Sequence, residues 1–141
     1  SFLGSQYFYP YKYKVQDASQ NELYTLFRVS EQYLIRAESN IHLLNTVDAV
    51  NDINIIRGRA GLASLSTALS VDSCLDALLQ ERRVEMFAET GHRWFDLKRT
   101  KSMNEIMQKE KGNLWMASDS LYPIPASDIQ RNPNLVQNLN Y

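Results

Sequence analysis

Between Leu26 and Gly61 the apolar residues fall into two successive stripes of helical period separated by a two-residue break, and nothing else in the chain constrains the fold as strongly. Tyr33, Leu34, Ala37, Ile41 and Leu44 stand at i, i+1, i+4, i+8 and i+11, which is one face of a helix. Asn45-Thr46 is the break. Thr46 is predicted to cap a second helix, and Asp48 lies in its first turn, where the helix dipole favours negative charge. Ala49, Val50, Ile53, Ile56 and Ala60 form the second stripe, and Gly61 is placed to end it. So short a link requires antiparallel helices, so residues 26–61 are predicted to form a helical hairpin of roughly tetratricopeptide length. Ala37 and Ala49 fit the two small positions of that repeat, and Ile53 fits its following large one. A single hairpin leaves its outer face uncovered, so further sequence or a partner is expected to cover it.

The flanking segments read differently. In residues 1–25, Tyr7, Tyr9, Tyr11 and Tyr13 alternate with period two, and Pro10 confines such an extended segment to an edge. Residues 62–70 are a linker whose Ser70 is a cap for a third helix running to about Thr90-Gly91, with Leu75, Leu78, Leu79, Met86 and Phe87 on its apolar face. Helices are predicted across residues 70–111. Leu121-Tyr122-Pro123-Ile124-Pro125 cannot continue a helix and Asn132-Pro133 signals a turn, so residues 112–141 are predicted to be an irregular tail. The expectation is an all-α single domain over residues 1–141, with an extended N-terminal segment, a tetratricopeptide-like hairpin and further helices. Ser1 in place of methionine suggests a C-terminal piece of a longer polypeptide.

Composition narrows the function classes. Fifteen basic and sixteen acidic residues give a formal charge of -1, so no global field draws in nucleic acid or an anionic membrane surface. No run approaches the roughly 18 apolar residues of a membrane helix. Cys74 is the sole cysteine, so no internal disulfide forms, and its neighbours Leu75 and Leu78 suit a small buried apolar group. His42 and His92, without a second cysteine, do not make a zinc set, and the five glycines stand singly rather than in a phosphate loop. No metal, cofactor or catalytic site is expected.

Two constellations remain. Glu81, Glu85 and Glu89 are four residues apart, a like-charge column that calls for cations from elsewhere. Arg57, Arg59, Arg82, Arg93 and Arg99, with Asp96, complete an expected interhelical network that fixes packing. The alternative, a glycosidase carboxylate pair, needs one carboxyl with a raised pKa, and interleaved arginines work against that. The second constellation is aromatic. Tyr7, Tyr9, Tyr11 and Tyr13 offer flat faces and phenol hydroxyls to a sugar, or else pack on the helices; Trp115, beside Gly112 and Asn113, is a further candidate ligand face, or else a core residue like Trp94 and Phe95.

Several motifs, taken in order, resemble one family. Tyr33-Leu34-Ile35-Arg36-Ala37-Glu38, Ala49-Val50-Asn51-Asp52-Ile53-Asn54, Arg57-Gly58-Arg59-Ala60-Gly61, Glu81-Arg82-Arg83-Val84-Glu85-Met86 and Gly91-His92-Arg93-Trp94-Phe95-Asp96-Leu97-Lys98-Arg99 are similar to the C-terminal part of the SusD/RagB family. The tail agrees: Tyr122-Pro123-Ile124-Pro125 and Asn132-Pro133-Asn134-Leu135 match its closing segment, with Leu139-Asn140 where Pro-Gly is usual. The resemblance covers about residues 28–141. It implies a nutrient-binding, cell-surface lipoprotein of the Bacteroidetes outer membrane, working in polysaccharide utilization. Such a protein captures starch or another glycan, as oligosaccharide or polysaccharide, for a TonB-dependent SusC-like transporter, and it is not an enzyme. The membrane is reached only through a lipid anchor on a preceding N-terminal region, and this chain serves mainly as helical scaffold. The alternatives are a helical protein-interaction domain docking a transporter or partner, and a glycoside hydrolase fragment.

Overall fold

The computed structural model describes residues 25–141. Among them lie six α-helices, two short 3-10 helices and no strand, so the all-α class holds for the described residues. Residues 1–24, including Tyr7, Tyr9, Tyr11 and Tyr13 and almost all of the expected extended segment, lie outside the described residues. Contacts divide the chain after His92 into two compact units, where the sequence reads as one domain.

In the first unit, α1 (Val29–His42), α2 (Thr46–Arg59) and α3 (Val71–Glu85) pack pairwise. Leu34, Ala37 and Ile41 of α1 meet Ala49, Val50, Ile53 and Ile56 of α2 and Cys74 and Leu78 of α3, with Met86 closing the core. Ala37 and Ala49 are both 0% exposed, so the two small positions of the hairpin pattern lie within the packed interior, where a missing side chain lets backbones approach. Each large buried aliphatic contributes about 1.5–3 kcal/mol relative to leaving it in water.

Both helices of the hairpin end in the same motif. At the end of α2 the Gly61 amide donates to the Gly58 carbonyl at 3.1 Å and the Leu62 amide to the Arg57 carbonyl at 2.9 Å, with Gly61 at φ +73°. At the end of α1 the Leu44 amide donates to Ile41 at 3.0 Å and the Asn45 amide to Asn40 at 2.8 Å, with Leu44 at φ +64°. Leucine there carries the steric cost that glycine avoids. Thr46 does not cap α2: it is the first helical residue, Asn45 holds the cap position, and no side-chain oxygen accepts there. Ser70 does cap α3, its Oγ accepting from the Ser73 amide at 3.2 Å. Helix α3 stops at Glu85 rather than near Thr90, because Ala88, Thr90 and Gly91 take left-handed conformations that cannot propagate a right-handed helix.

The linker after α2 is held by a side chain. Asn54 Nδ2 donates to the Leu65 carbonyl at 3.1 Å while its Oδ1 accepts from the Leu65 amide at 2.7 Å, so one amide satisfies both backbone groups of a loop residue.

The second unit contains α4 (His92–Arg99), α5 (Met103–Lys111), the 3-10 turns Gly112–Leu114 and Ala117–Ser120, and α6 (Ala126–Arg131). Its core is Leu97, Met103 and Trp115, with Trp94, Ile106 and Met107 packed on it. Gly112 ends α5 at φ 58° and ψ −134°, a combination open to glycine and strained for any other residue. The tail is more regular than the sequence suggests, because Pro125 ends the extended segment at the threshold of α6 and Asp128 sits in the first helical turn. The extended stretch before it is tied down by the last residues: Gln137 Oε1 accepts from the Ile124 amide at 2.8 Å, Gln137 Nε2 donates to the Ile124 carbonyl at 2.9 Å, and Asn138 Nδ2 donates to the Tyr122 carbonyl at 2.6 Å.

Candidate functional site

The acidic column finds arginine partners. Arg57 Nη1 lies 3.2 Å from Glu81 Oε2, tying α2 to α3. Glu85 accepts from Arg59 Nη2 at 2.5 Å and from Arg28 Nη2 at 2.5 Å, and Arg28 Nη1 reaches Glu89 at 2.6 Å. Arg28 also donates to the Glu85 carbonyl at 3.2 Å, so this one guanidinium clips the start of α1 onto the end of α3. Glu89 lies past the end of the helix, yet Arg28 still bridges it to Glu85. Arg82 is buried with Glu81. In the second unit, Arg93 pairs with Glu110 at 2.7 Å and Arg99 with Asp96 at 2.8 Å.

Burial pushes the Glu85 carboxyl up, but the hydrogen bonds from Arg59 and the charges of Arg28 and Arg59 outweigh it and hold the group below the usual glutamate range. That is the reverse of what a glycosidase acid needs. Chemically, this arrangement ties helices together. Among the described residues no group of three or more His, Cys, Asp or Glu side chains is arranged to hold a metal ion. Cys74 is fully buried, and burial pushes its thiol pKa up, which makes it unreactive in the folded state.

Of the candidate ligand aromatics, Trp115 is 7% exposed. Its indole N–H donates to Asn104 Oδ1 at 3.2 Å, and Lys111 Nζ sits 5.6 Å from its ring centre. A ring so enclosed has no open face for a sugar, so Trp115 serves the second unit's core. The tyrosine stripe lies outside the described residues.

A pair that the network reading does not include stands on the hairpin. Asp52 is buried on the apolar side of α2, and Arg36 of α1 meets it side-on, Nε to Oδ2 at 2.8 Å and Nη2 to Oδ1 at 2.6 Å. The Arg36 guanidinium carbon lies 5.1 Å from the Tyr33 ring centre. Around them is a solvent-open concavity of about 470 Å³ lined by Val29, Gln32, Tyr33, Ile35 and Arg36. All five lining residues belong to the outer face of α1. A carboxylate at Asp52, three residues from Ala49 and four from Ile56, was the available signal, since a charge on an apolar stripe demands a partner.

The SusD family model matches residues 5–141. SusD-like protein P2 of Formosa agariphila is 32% identical over 127 residues, which is 82% of this chain and 25% of that protein. Starch-binding protein SusD of Bacteroides thetaiotaomicron is 32% identical over 123 residues, 82% of this chain and 21% of that protein. Among solved structures, a SusD-like protein from Bacteroides fragilis superposes with a TM-score of 0.64 at 25% identity, covering 79% of this chain and 25% of the other. The chain thus spans about a quarter of the length of the relatives it matches.

Proposed function

The chain belongs to the SusD family, and we propose that it works within a nutrient-binding protein of the Bacteroidetes cell surface that captures a glycan without cleaving it. The observation carrying this reading is the family match across residues 5–141, and the name of a relative, starch-binding protein, supports a carbohydrate ligand. In this reading the protein is a lipoprotein held at the outer membrane through an anchor that is not Cys74, and it hands ligand to a TonB-dependent SusC-like transporter. The three packed helices, cross-tied by Arg28, Arg36, Arg57 and Arg59, are the scaffold; the tyrosine stripe Tyr7, Tyr9, Tyr11 and Tyr13 is the part of the chain offered to a sugar.

Affinity electrophoresis through gels containing a panel of plant, host and microbial polysaccharides tests the binding, with a reducing-end assay alongside. Retardation by a glycan with no new reducing ends is the expected result. Release of reducing ends would overturn the non-enzymatic reading. Retention by a SusC-like transporter without any sugar affinity, in the chain or in the full-length protein, would favour a docking domain instead.

A further inference from the structure

The core occupies one side of α2, where Ala49, Val50, Ile53 and Ile56 are buried. On the opposite side Val47, Asn51, Ile55 and Gly58 stand at i, i+4, i+8 and i+11 and form a line that faces outward. Val47 is 53% and Ile55 49% exposed, and no charged residue interrupts the line. A helix face meant for water is normally filled with lysine, glutamate, glutamine or alanine, whereas β-branched residues and glycine each cost helix stability there. Gly58 is the least economical of the four. It is not among the glycines with positive φ, so no left-handed backbone requires it, and nothing among the described residues lies within 4 Å of where its Cβ would stand. The glycine leaves a dent in the outer face, beside two exposed aliphatic side chains.

This face is complementary to itself. Eleven residues are about three helical turns, so Val47 and Gly58 lie along one edge of the line. Asp48 and Arg59, also eleven apart, lie along its other edge. A two-fold axis crossing the helix midway between Asn51 and Ile55 reverses a second α2 end for end and keeps each edge beside its own equivalent. Val47 of each copy then faces the Gly58 dent of the other, and Asp48 of each copy faces Arg59 of the other. Ile55 meets Asn51 at the centre. One axis therefore serves a steric match and a charge match together, and the two have no reason to share a register on a face that only meets water. Arg59 can take the second acid, since it bonds Glu85 through Nη2 alone and its side chain is 57% exposed.

We propose that the outer face of α2 is a self-association surface on which a second copy of this chain packs its own α2 antiparallel, with Val47 in the Gly58 dent and Asp48 against Arg59. Helix α2 has 14 residues and is about 21 Å long, so the contact belongs with small, reversible interfaces rather than obligate ones. The proposal is independent of the glycan-binding reading.

Sedimentation velocity of the intact chain from about 5 to about 500 µM tests it, on wild type, Gly58→Gln, Asp48→Asn and Val84→Gln. Glutamine fills the dent and is a better helix former than glycine, so Gly58→Gln is expected to melt no lower than wild type. Val84, an equally exposed aliphatic on α3, is the control for general stickiness. The expected result is a wild-type mass rising from the 16.3 kDa of one chain towards twice that value. Gly58→Gln raises the dissociation constant at least about tenfold, Asp48→Asn raises it about threefold, and Val84→Gln leaves it unchanged. Added salt weakens the wild-type dimer more than the Asp48→Asn dimer. A chain that stays monomeric through about 500 µM would refute the second copy as the occupant of this face. A dimer that Gly58→Gln preserves, or that Val84→Gln weakens equally, would place the contact elsewhere and overturn the proposal.

Discussion

Replacing Glu85 by glutamine removes one negative charge and nearly no volume, so it isolates what the carboxylate does between α1, α2 and α3. The side chain is 9% exposed and accepts from Arg59 and from Arg28, both at 2.5 Å. Severing a fully buried ion pair costs about 3–5 kcal/mol, whereas exposed pairs are worth at most about 1 kcal/mol. Arg28 is 25% exposed and Arg59 57% exposed, so the first pair lies nearer the buried limit and the second nearer the exposed one. One amide oxygen still accepts a hydrogen bond. The net expectation for Glu85→Gln is therefore a loss of about 2 kcal/mol at pH 7, read as a fall in melting temperature of about 6–10 °C. The sign of the pH dependence follows from the depressed carboxyl. A group held below its unfolded pKa stabilises the fold at pH above the unfolded value, and that stabilisation is lost as pH falls through the folded value. The gap between wild type and Glu85→Gln is thus expected to be full at pH 7 and to close as acid is added below about 4.5. Urea melts at pH 7, 5, 4 and 3 measure it. A gap under about 0.5 kcal/mol at pH 7, or one that stays constant down to pH 3, would refute the argument and assign the effect to packing.

Three further outcomes follow from local geometry. Leu44→Gly relieves a left-handed leucine that is 74% exposed, and calorimetry is expected to show stabilisation of about 0.5–1 kcal/mol after the entropy lost to glycine in the unfolded chain. Ala49→Leu forces three methylene-sized carbons into the α1–α2 contact; about 1–3 kcal/mol of destabilisation in a denaturant melt, with helical circular dichroism retained, is the expected signature. Gln137→Ala removes both hydrogen bonds to Ile124, and amide hydrogen exchange at Ile124 is expected to accelerate about tenfold, corresponding to about 1–1.5 kcal/mol.

The sequence carried the hairpin almost intact because helical period, small residues at Ala37 and Ala49, and a glycine at position 61 all act locally and agree with one another. It misplaced the end of α3 because Glu89 extends the four-residue acidic spacing by one more step, while the left-handed backbone at Ala88 and Thr90 leaves no mark in residue type. Network partners divided along the same line. Arg57 and Arg59 were legible since they end a helix adjacent in the chain to the acidic one. Arg28 was not, because it meets Glu85 across 57 residues, and spacing says nothing about which segment returns to that spot. Asp52 was legible in principle, as a lone charge on a buried stripe, but nothing in its spacing names Arg36 as the partner. For Trp115 residue type left two readings, an exposed ligand face beside Gly112 and Asn113 or a core aromatic, and the fold takes the second, with the indole in the cluster of Met103 and Leu97.

Cys74 adds a practical property to the molecule. It is the sole thiol in the chain and lies at zero exposure among Leu34, Ile53 and Leu78, where α1, α2 and α3 meet. An alkylating reagent therefore meets it only when that core opens, and the labelling rate divided by the rate for a free thiol gives the opening equilibrium directly, with each 1.4 kcal/mol of protection slowing the reaction tenfold. Because the second compact unit contains no cysteine, the signal reads the helical hairpin and α3 without interference. The chain carries its own built-in clock for the breathing of its first unit.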